Sequence, residues 1–154
     1  MRHWLIKSEP DVFGIDDLEK VKREPWSGVR NYQARNFMWK EMKPGDLALF
    51  YHSNAKPPGV TGIARVVGAP YPDPTQFDEK SEYFDPKAKP ENPRWWLVDF
   101  EFVGKFKDML TLESIKADSV LCEMVVCQKG TRLSINPVDP LHFKRVCKLA
   151  AWKS

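Results

Sequence analysis

The sequence predicts an α+β fold, a small and mostly antiparallel β-barrel with short helices flanking it. Three observations point there. The 154 residues fit one domain spanning 1–154, large enough to bury a core without disulfide or metal staples. Five or six strand-like segments are separated by short helical ones, without the strand–helix–strand rhythm of a parallel sheet. Between Pro70 and Pro93 the chain is proline-rich and aperiodic, yet Tyr71, Phe77, Tyr83 and Phe84 give it rings that dock onto the body, so a long ordered loop is expected.

Taken in order, Arg2 to Ser8 alternates Trp4, Ile6 and Ser8 against His3, Leu5 and Lys7, as a strand does. Glu9-Pro10 stops it, and Gly14 to Lys20 reads as a short helix with Ile15 and Leu18 inward. Asn31 is a good N-cap for a helix of about ten residues from Tyr32. At about 100° per residue, Ala34, Phe37, Met38 and Glu41 share one side of it, and Tyr32, Arg35, Asn36 and Trp39 the other. Lys43-Pro44-Gly45-Asp46 turns the chain into a buried strand from Leu47 to His52. A polar loop follows, then a strand from Val60 to Val67 in which Gly62 and Gly68 suggest bulges, and the two strands are expected to pair. Arg94 to Phe106 is the longest strand. Thr111 caps a helix to about Ala117, Asp118 to Val126 is open between helix and strand, and Leu133 to Ile135 is a brief strand. Asp139-Pro140, an N-cap before a proline at the first helical position, opens a terminal helix.

Composition narrows the chemistry. A formal charge of +3 is compatible with a nucleic-acid partner but far from a polybasic tail. Six Trp, four Tyr and nine Phe are a heavier aromatic load than a core alone asks for. Cys122, Cys127 and Cys147 form no CxxC spacing, which speaks against a zinc site or a disulfide framework and for a reducing compartment. No segment reaches membrane-spanning length, and the start of the chain does not resemble a signal peptide, so a cytoplasmic place is expected, or a nuclear one in a eukaryote. The three histidines, at 3, 52 and 142, make no metal-ligand spacing, and no nucleophile elbow, phosphate loop or dinucleotide fingerprint occurs. Lys7 and Glu9 around Ser8, or His52 beside Ser53, would be the acid–base sets of an enzyme. A serine flanked by charge at a strand end more often donates a hydrogen bond to a ligand or to backbone. We therefore expect no catalytic residue, no metal and no cofactor.

The densest polar and aromatic stretch is Trp26 to Asn36, where rings, amides and guanidinium groups of the kind that recognise bases and phosphates lie together. Read with Trp4 to Pro10, Phe50 to Ser53, Tyr71 to Thr75, Tyr83 to Lys87 and Leu133 to Val138, it resembles the EVE domain family over nearly the whole chain. The resemblance implies a PUA-like fold and a non-enzymatic reader of modified bases. The ligand it implies is modified cytosine in DNA, 5-methyl or an oxidised derivative, or a modified base in RNA. EVE domains are in turn similar to YTH domains, which hold 6-methyladenine of RNA in an aromatic cage. Leu5 to Ser8 and Trp26-Ser27 carry that second likeness, which makes Trp26 a cage wall and puts Lys7, Ser8, Glu9 and Ser27 at the pocket edge. YTH domains have an asparagine where this chain has Glu9. A carboxylate accepts protons, so Glu9 favours a base with an exocyclic amino group, unless a neighbouring Arg or Lys takes it.

Further candidates for the base are Asn31, Tyr32, His52, Ser53, Asn54, Tyr83 and Asp85. Arg30 and Arg35 are candidates for phosphate. Each has a structural alternative: an internal salt bridge for the arginines, a turn for His52 to Asn54, a sealed barrel for the rings of the long loop. The expected partner is DNA or RNA carrying a modified base, bound by a monomer with no membrane contact. The alternatives are a nucleic-acid-processing enzyme and a protein-interaction module.

Overall fold

The computed structural model describes residues 1–130 and 133–153. Its strands are β1 (His3–Ser8), β2 (Arg23–Pro25), β3 (Leu47–His52), β4 (Gly59–Pro72), β5 (Trp96–Thr111) and β6 (Ile135–Val138). The helices are α1 (Pro10–Phe13), α2 (Ile15–Val21), α3 (Tyr32–Asn36), α4 (Leu112–Ala117) and α5 (Pro140–Leu149).

Local chemistry explains most boundaries. Asn31 caps α3 by accepting from Ala34 N at 2.9 Å, Thr111 caps α4, and Asp139 caps α5 with Pro140 behind it. Helix α3 continues as a π-helical turn over Phe37–Glu41, so the ten-residue helix exists with a wider second half. Its inward face is the expected one, since Ala34, Phe37 and Met38 are buried. The ambiguous stretch after α4 forms two short 3-10 turns, Leu121–Glu123 and Val125–Cys127.

The six strands form one mixed sheet in the order β2-β5-β4-β3-β1-β6. Every pair is antiparallel except β1 with β3, which are parallel. This corrects the expected barrel. Among the described residues the sheet stays open, with β2 and β6 at its ends. Closure needs end strands that pair along their length, and these two offer three and four residues. The long strands β4 and β5 bend instead, through register shifts at Val60/Gly62, Ile63/Ala64 and Val67/Tyr71.

A parallel pair requires a crossover. Here it runs from Glu9 to Asp46, lays α1, α2 and α3 over one face of the sheet, and anchors β2 on β5 at the far edge. That face holds Trp4, Ile6, Trp26, Phe37, Phe50 and Phe100 in one core cluster. The other face packs Leu5, Leu49, Phe106, Ile115, Phe143 and Val146 under α4 and α5. The alternation of β1 thus feeds two cores, Trp4 and Ile6 to one and Leu5 to the other.

Candidate nucleobase cleft

Over the first face the crossover leaves a cleft of about 690 Å³, within the roughly 300–1,000 Å³ of small-molecule pockets. Four separate stretches converge on it: the end of β1 with Lys7 to Glu9, α1, the run Glu24 to Asn31, and Glu82-Tyr83 of the long loop, joined by Ser134.

Trp26 forms the floor. Its ring is 8% exposed and meets Phe13, Phe50 and Phe100 edge-on at 6.1, 5.9 and 5.3 Å, so it is fixed in place and shows the cleft a small part of its surface. Tyr83 forms a wall by lying on Gly28. A Cβ at Gly28 would sit 2.6 Å from the Tyr83 ring, and the backbone there has φ +82°, so two separate demands call for glycine. Ser8 donates its hydroxyl to Phe13 O at 2.5 Å and fastens α1 to the end of β1. Glu9 is exposed and, among the described residues, accepts from Asn54 Nδ2 at 3.2 Å rather than from an Arg or Lys. Burial pushes the Lys7 ammonium below the usual lysine range. Asn31 uses its Oδ1 in the cap, which leaves its amide NH₂ for a ligand.

The wall and floor are tied together by a residue the sequence reading passed over. Asp73, 2% exposed, accepts from Gly28 N at 2.8 Å, Thr75 N at 2.8 Å and Arg30 Nη1 at 3.2 Å. Gln76, fully buried, donates to Asp73 O and Trp95 O and accepts from Arg94 N and Trp95 N. Asp73 holds the long loop against the crossover, and Gln76 ties the two ends of that loop together ahead of β5. Asp73 precedes Pro74 as Asp139 precedes Pro140, and caps its own 3-10 turn, Pro74–Phe77. That repeated Asp-Pro signature was the signal available for it.

Lys7, Ser8, Glu9, Trp26, Ser27, Arg30, Asn31 and Tyr83 are brought together as lining. The remaining candidates lie outside it, each with a visible role. His52 Nε2 accepts from Ile15 N at 3.1 Å, which requires a neutral ring, and burial holds its pKa below the ordinary histidine value. Ser53 N donates to Ser8 O, and Asn54 takes a left-handed turn conformation at φ 52°. Asp85 accepts from Trp95 Nε1 at 2.8 Å, the main cause of its lowered pKa. Tyr32 stacks on Trp95 at 4.9 Å, Trp39 on Trp96 at 4.8 Å, and the Arg35 guanidinium lies over Tyr32 at 4.6 Å. Arg35 also donates to Asn36 Oδ1 and Arg94 O, so neither arginine is idle: Arg30 has the internal carboxylate, and Arg35 amide and carbonyl oxygens. The lining that sequence reasoning missed includes Val12, Phe13, Glu24 and Glu82. Helix α1 is a single four-residue turn and β2 three residues, too short for any periodic signal.

The chain is thus an open α+β sheet with a ring-floored, carboxylate-edged cleft on its crossover side. The chain belongs to the EVE domain family, whose pattern matches residues 2–149. It is 42% identical to thymocyte nuclear protein 1 of Gallus gallus, over 98% of this chain and 69% of that protein. Among solved structures, a hypothetical protein of Leishmania major superposes with a TM-score of 0.92 at 46% identity, covering 98% of this chain and 95% of that one. Human THYN1, in a crystal structure described as a complex with DNA containing 5-methylcytosine, superposes with a TM-score of 0.90 at 39% identity, over the full length of both chains. The vertebrate relatives are nuclear by name, so the cytoplasmic location expected from the sequence finds no support in them. Among the described residues no helix is long and apolar enough to cross a membrane.

Proposed function

We propose that this protein is a non-enzymatic reader that takes one modified cytosine of DNA, 5-methyl or oxidised, into the cleft between Trp26 and Tyr83. The carrying observation is the convergence of Lys7 to Glu9, Trp26 to Asn31 and Tyr83 on one cavity, although more than fifty residues separate Asn31 from Tyr83. The human relative described with 5-methylcytosine DNA supports the same ligand. In this reading Trp26 and Tyr83 stack on the base, and Ser8, Ser27 and the Asn31 amide meet its polar edges. Glu9, fixed by Asn54, guards the rim. Arg30 and Arg35 offer their remaining N–H groups to flanking phosphates. Tyr32, His52, Ser53 and Asp85 position these groups without touching the base. The chain works as one PUA-like domain and as a monomer.

Magnitudes shape the expectation. Stacking a base on a ring contributes about 1–3 kcal/mol, comparable with the few kcal/mol needed to draw it out of a duplex. Single-stranded or mismatched sites therefore bind best. A buried methyl group contributes about 0.8 kcal/mol, close to fourfold in affinity, so discrimination between cytosine and 5-methylcytosine is modest.

The test is direct binding at one fixed salt concentration. Short DNA and RNA strands carrying cytosine, 5-methylcytosine, 5-hydroxymethylcytosine or 6-methyladenine are compared for the protein and its Trp26→Ala variant. Preference for modified cytosine that the variant loses is the expected result. Equal weak binding to every strand by both proteins would sink the reader.

A further inference from the structure

The cleft contains two carboxylates that the sequence did not single out, Glu24 and Glu82, and Glu24 is the more buried of them. Glu24 sits on β2 opposite Phe100 of β5, and Phe100 belongs to the core on the cleft side, so the Glu24 side chain shares that face and lines the cavity beside Trp26. It is half-buried, and among the described residues it has neither a hydrogen-bond donor nor a cationic partner. The buried carboxylates of this fold are all satisfied. Asp46 accepts from Arg2 N and Trp4 Nε1, Asp73 from Gly28 N and Arg30, and Asp99 from Arg23 at 2.7 Å and the Tyr71 hydroxyl at 2.6 Å. The Glu24 carboxylate reaches the open cleft, so a ligand that takes the place of water there has to supply a donor. Burial, with the nearby Asp99 charge, pushes its pKa up, as expected for a carboxylate awaiting a donor.

The rest of the lining says what the donor is. Glu9, Glu24 and Glu82 face a cavity whose cations, among the described residues, are Lys7 and Arg30, and Arg30 is already paired with Asp73. Such a cavity disfavours an anion inside it, leaving phosphates to its rim, and suits a flat group that brings N–H donors. Glu9 is the weaker reader of such a group, because it is exposed and already accepts from Asn54.

We propose that Glu24 is the specificity-determining residue of the cleft, accepting a hydrogen bond from the exocyclic amino group of the bound base and so selecting cytosine-type bases over thymine. This rests on the base-reading function proposed above. Thymine and 5-methylcytosine carry the same methyl group and differ at the amino edge, so they isolate the interaction.

The experiment measures Kd for two single strands identical except for one 5-methylcytosine or thymine, using the protein, Glu24→Gln, and Glu113→Gln as a charge-matched control on the opposite face. The wild type is expected to favour 5-methylcytosine by about tenfold or more, the size of a hydrogen bond to a charged acceptor. Glu24→Gln, whose amide can donate its NH₂ to thymine O4 as well as accept from the amino group, brings the ratio close to one, and Glu113→Gln leaves it unchanged. A third strand, with 5-methyl-2-pyrimidinone in place of 5-methylcytosine, removes the amino group from the ligand side. The wild type should then bind it as weakly as thymine, a readout independent of how the variant folds. A preference that survives in Glu24→Gln, or a wild type indifferent to loss of the amino group, overturns the assignment. A wild type that binds none of the strands, or one matched by Trp26→Ala, overturns the reader itself and this inference with it.

Discussion

On one face of the sheet, α4 and α5 close over Leu5, Phe106, Ile115 and Phe143 with apolar contacts. The other face also has an apolar core, to which the crossover sends Ile15, Leu18, Ala34, Phe37 and Met38, but around the cleft its short pieces are fastened through polar side chains: Ser8 to Phe13 O, His52 to Ile15 N, Asp73 to Gly28 N and Arg30, Gln76 to Trp95. The difference follows from what each face does. Apolar packing is non-directional and fills space, so it seals. Directional hydrogen bonds fix loops at set positions without filling the room between them, so a cavity survives beneath them.

Separating the two kinds of cover experimentally gives the largest effect first. Ile115→Ala empties a fully buried site on the sealed face and is expected to cost about 2–5 kcal/mol in denaturant unfolding. Nucleic-acid affinity of the folded protein should stay unchanged. Asp73→Ala strips Gly28 N and the Arg30 guanidinium of a buried acceptor, for about 3 kcal/mol of stability. Unlike Ile115→Ala it also weakens binding, because the Tyr83 wall loses its tie to Trp26 and Gly28. Equal binding in the two variants would erase the distinction between the faces.

Gly28→Ala probes the same wall more gently. The positive φ alone costs about 1–2 kcal/mol, and the new methyl displaces the Tyr83 ring. Binding should fall more than stability does, as titration and thermal melting of one preparation would show. The smallest effect concerns pH. Burial lowers the His52 pKa in the folded protein, against the attraction of Asp16 and Asp17 and with the help of Lys105. The unfolded chain therefore takes up the proton first. Stability from this site is complete above the unfolded value of about 6.5 and is lost as pH falls from there toward the lower folded value. His3, also lowered by burial, contributes in the same direction. His52→Gln, whose carbonyl can accept from Ile15 N, should flatten the pH dependence of unfolding without abolishing it. An unchanged pH profile would mean that His52 does not couple this cover to protons.

Much of this was legible because it is local. The caps at Asn31, Thr111 and Asp139 were read from the residues that make them, and the bounds of β3 from the turn before it and the polar loop after it. The inward positions of the helix after Asn31 followed from periodicity, even through its π-helical half. For the cleft, eight of the expected residues do line it, seven of them because they sit in two continuous runs and Tyr83 from the long loop. His52, Asn54, Tyr32, Asp85 and Arg35 are near in sequence or chemistry to that lining, but their side chains are spent on neighbours, and Ser53 is tied to Ser8 through its backbone N–H. Nothing in a sequence reveals whether a polar group has already found its partner.

The sequence by itself determined where strands and helices begin, which side of each is apolar, and to which family the pattern corresponds, since these depend on residues a turn or a pleat apart. The tertiary structure alone decided that the sheet stays open, that Asp73 and Gln76 pin the long loop, and that Glu24, among the described residues, lies half-buried without a donor. Each of those depends on residues well separated along the chain. Such arrangements are set by how packed elements share space, which no local propensity encodes.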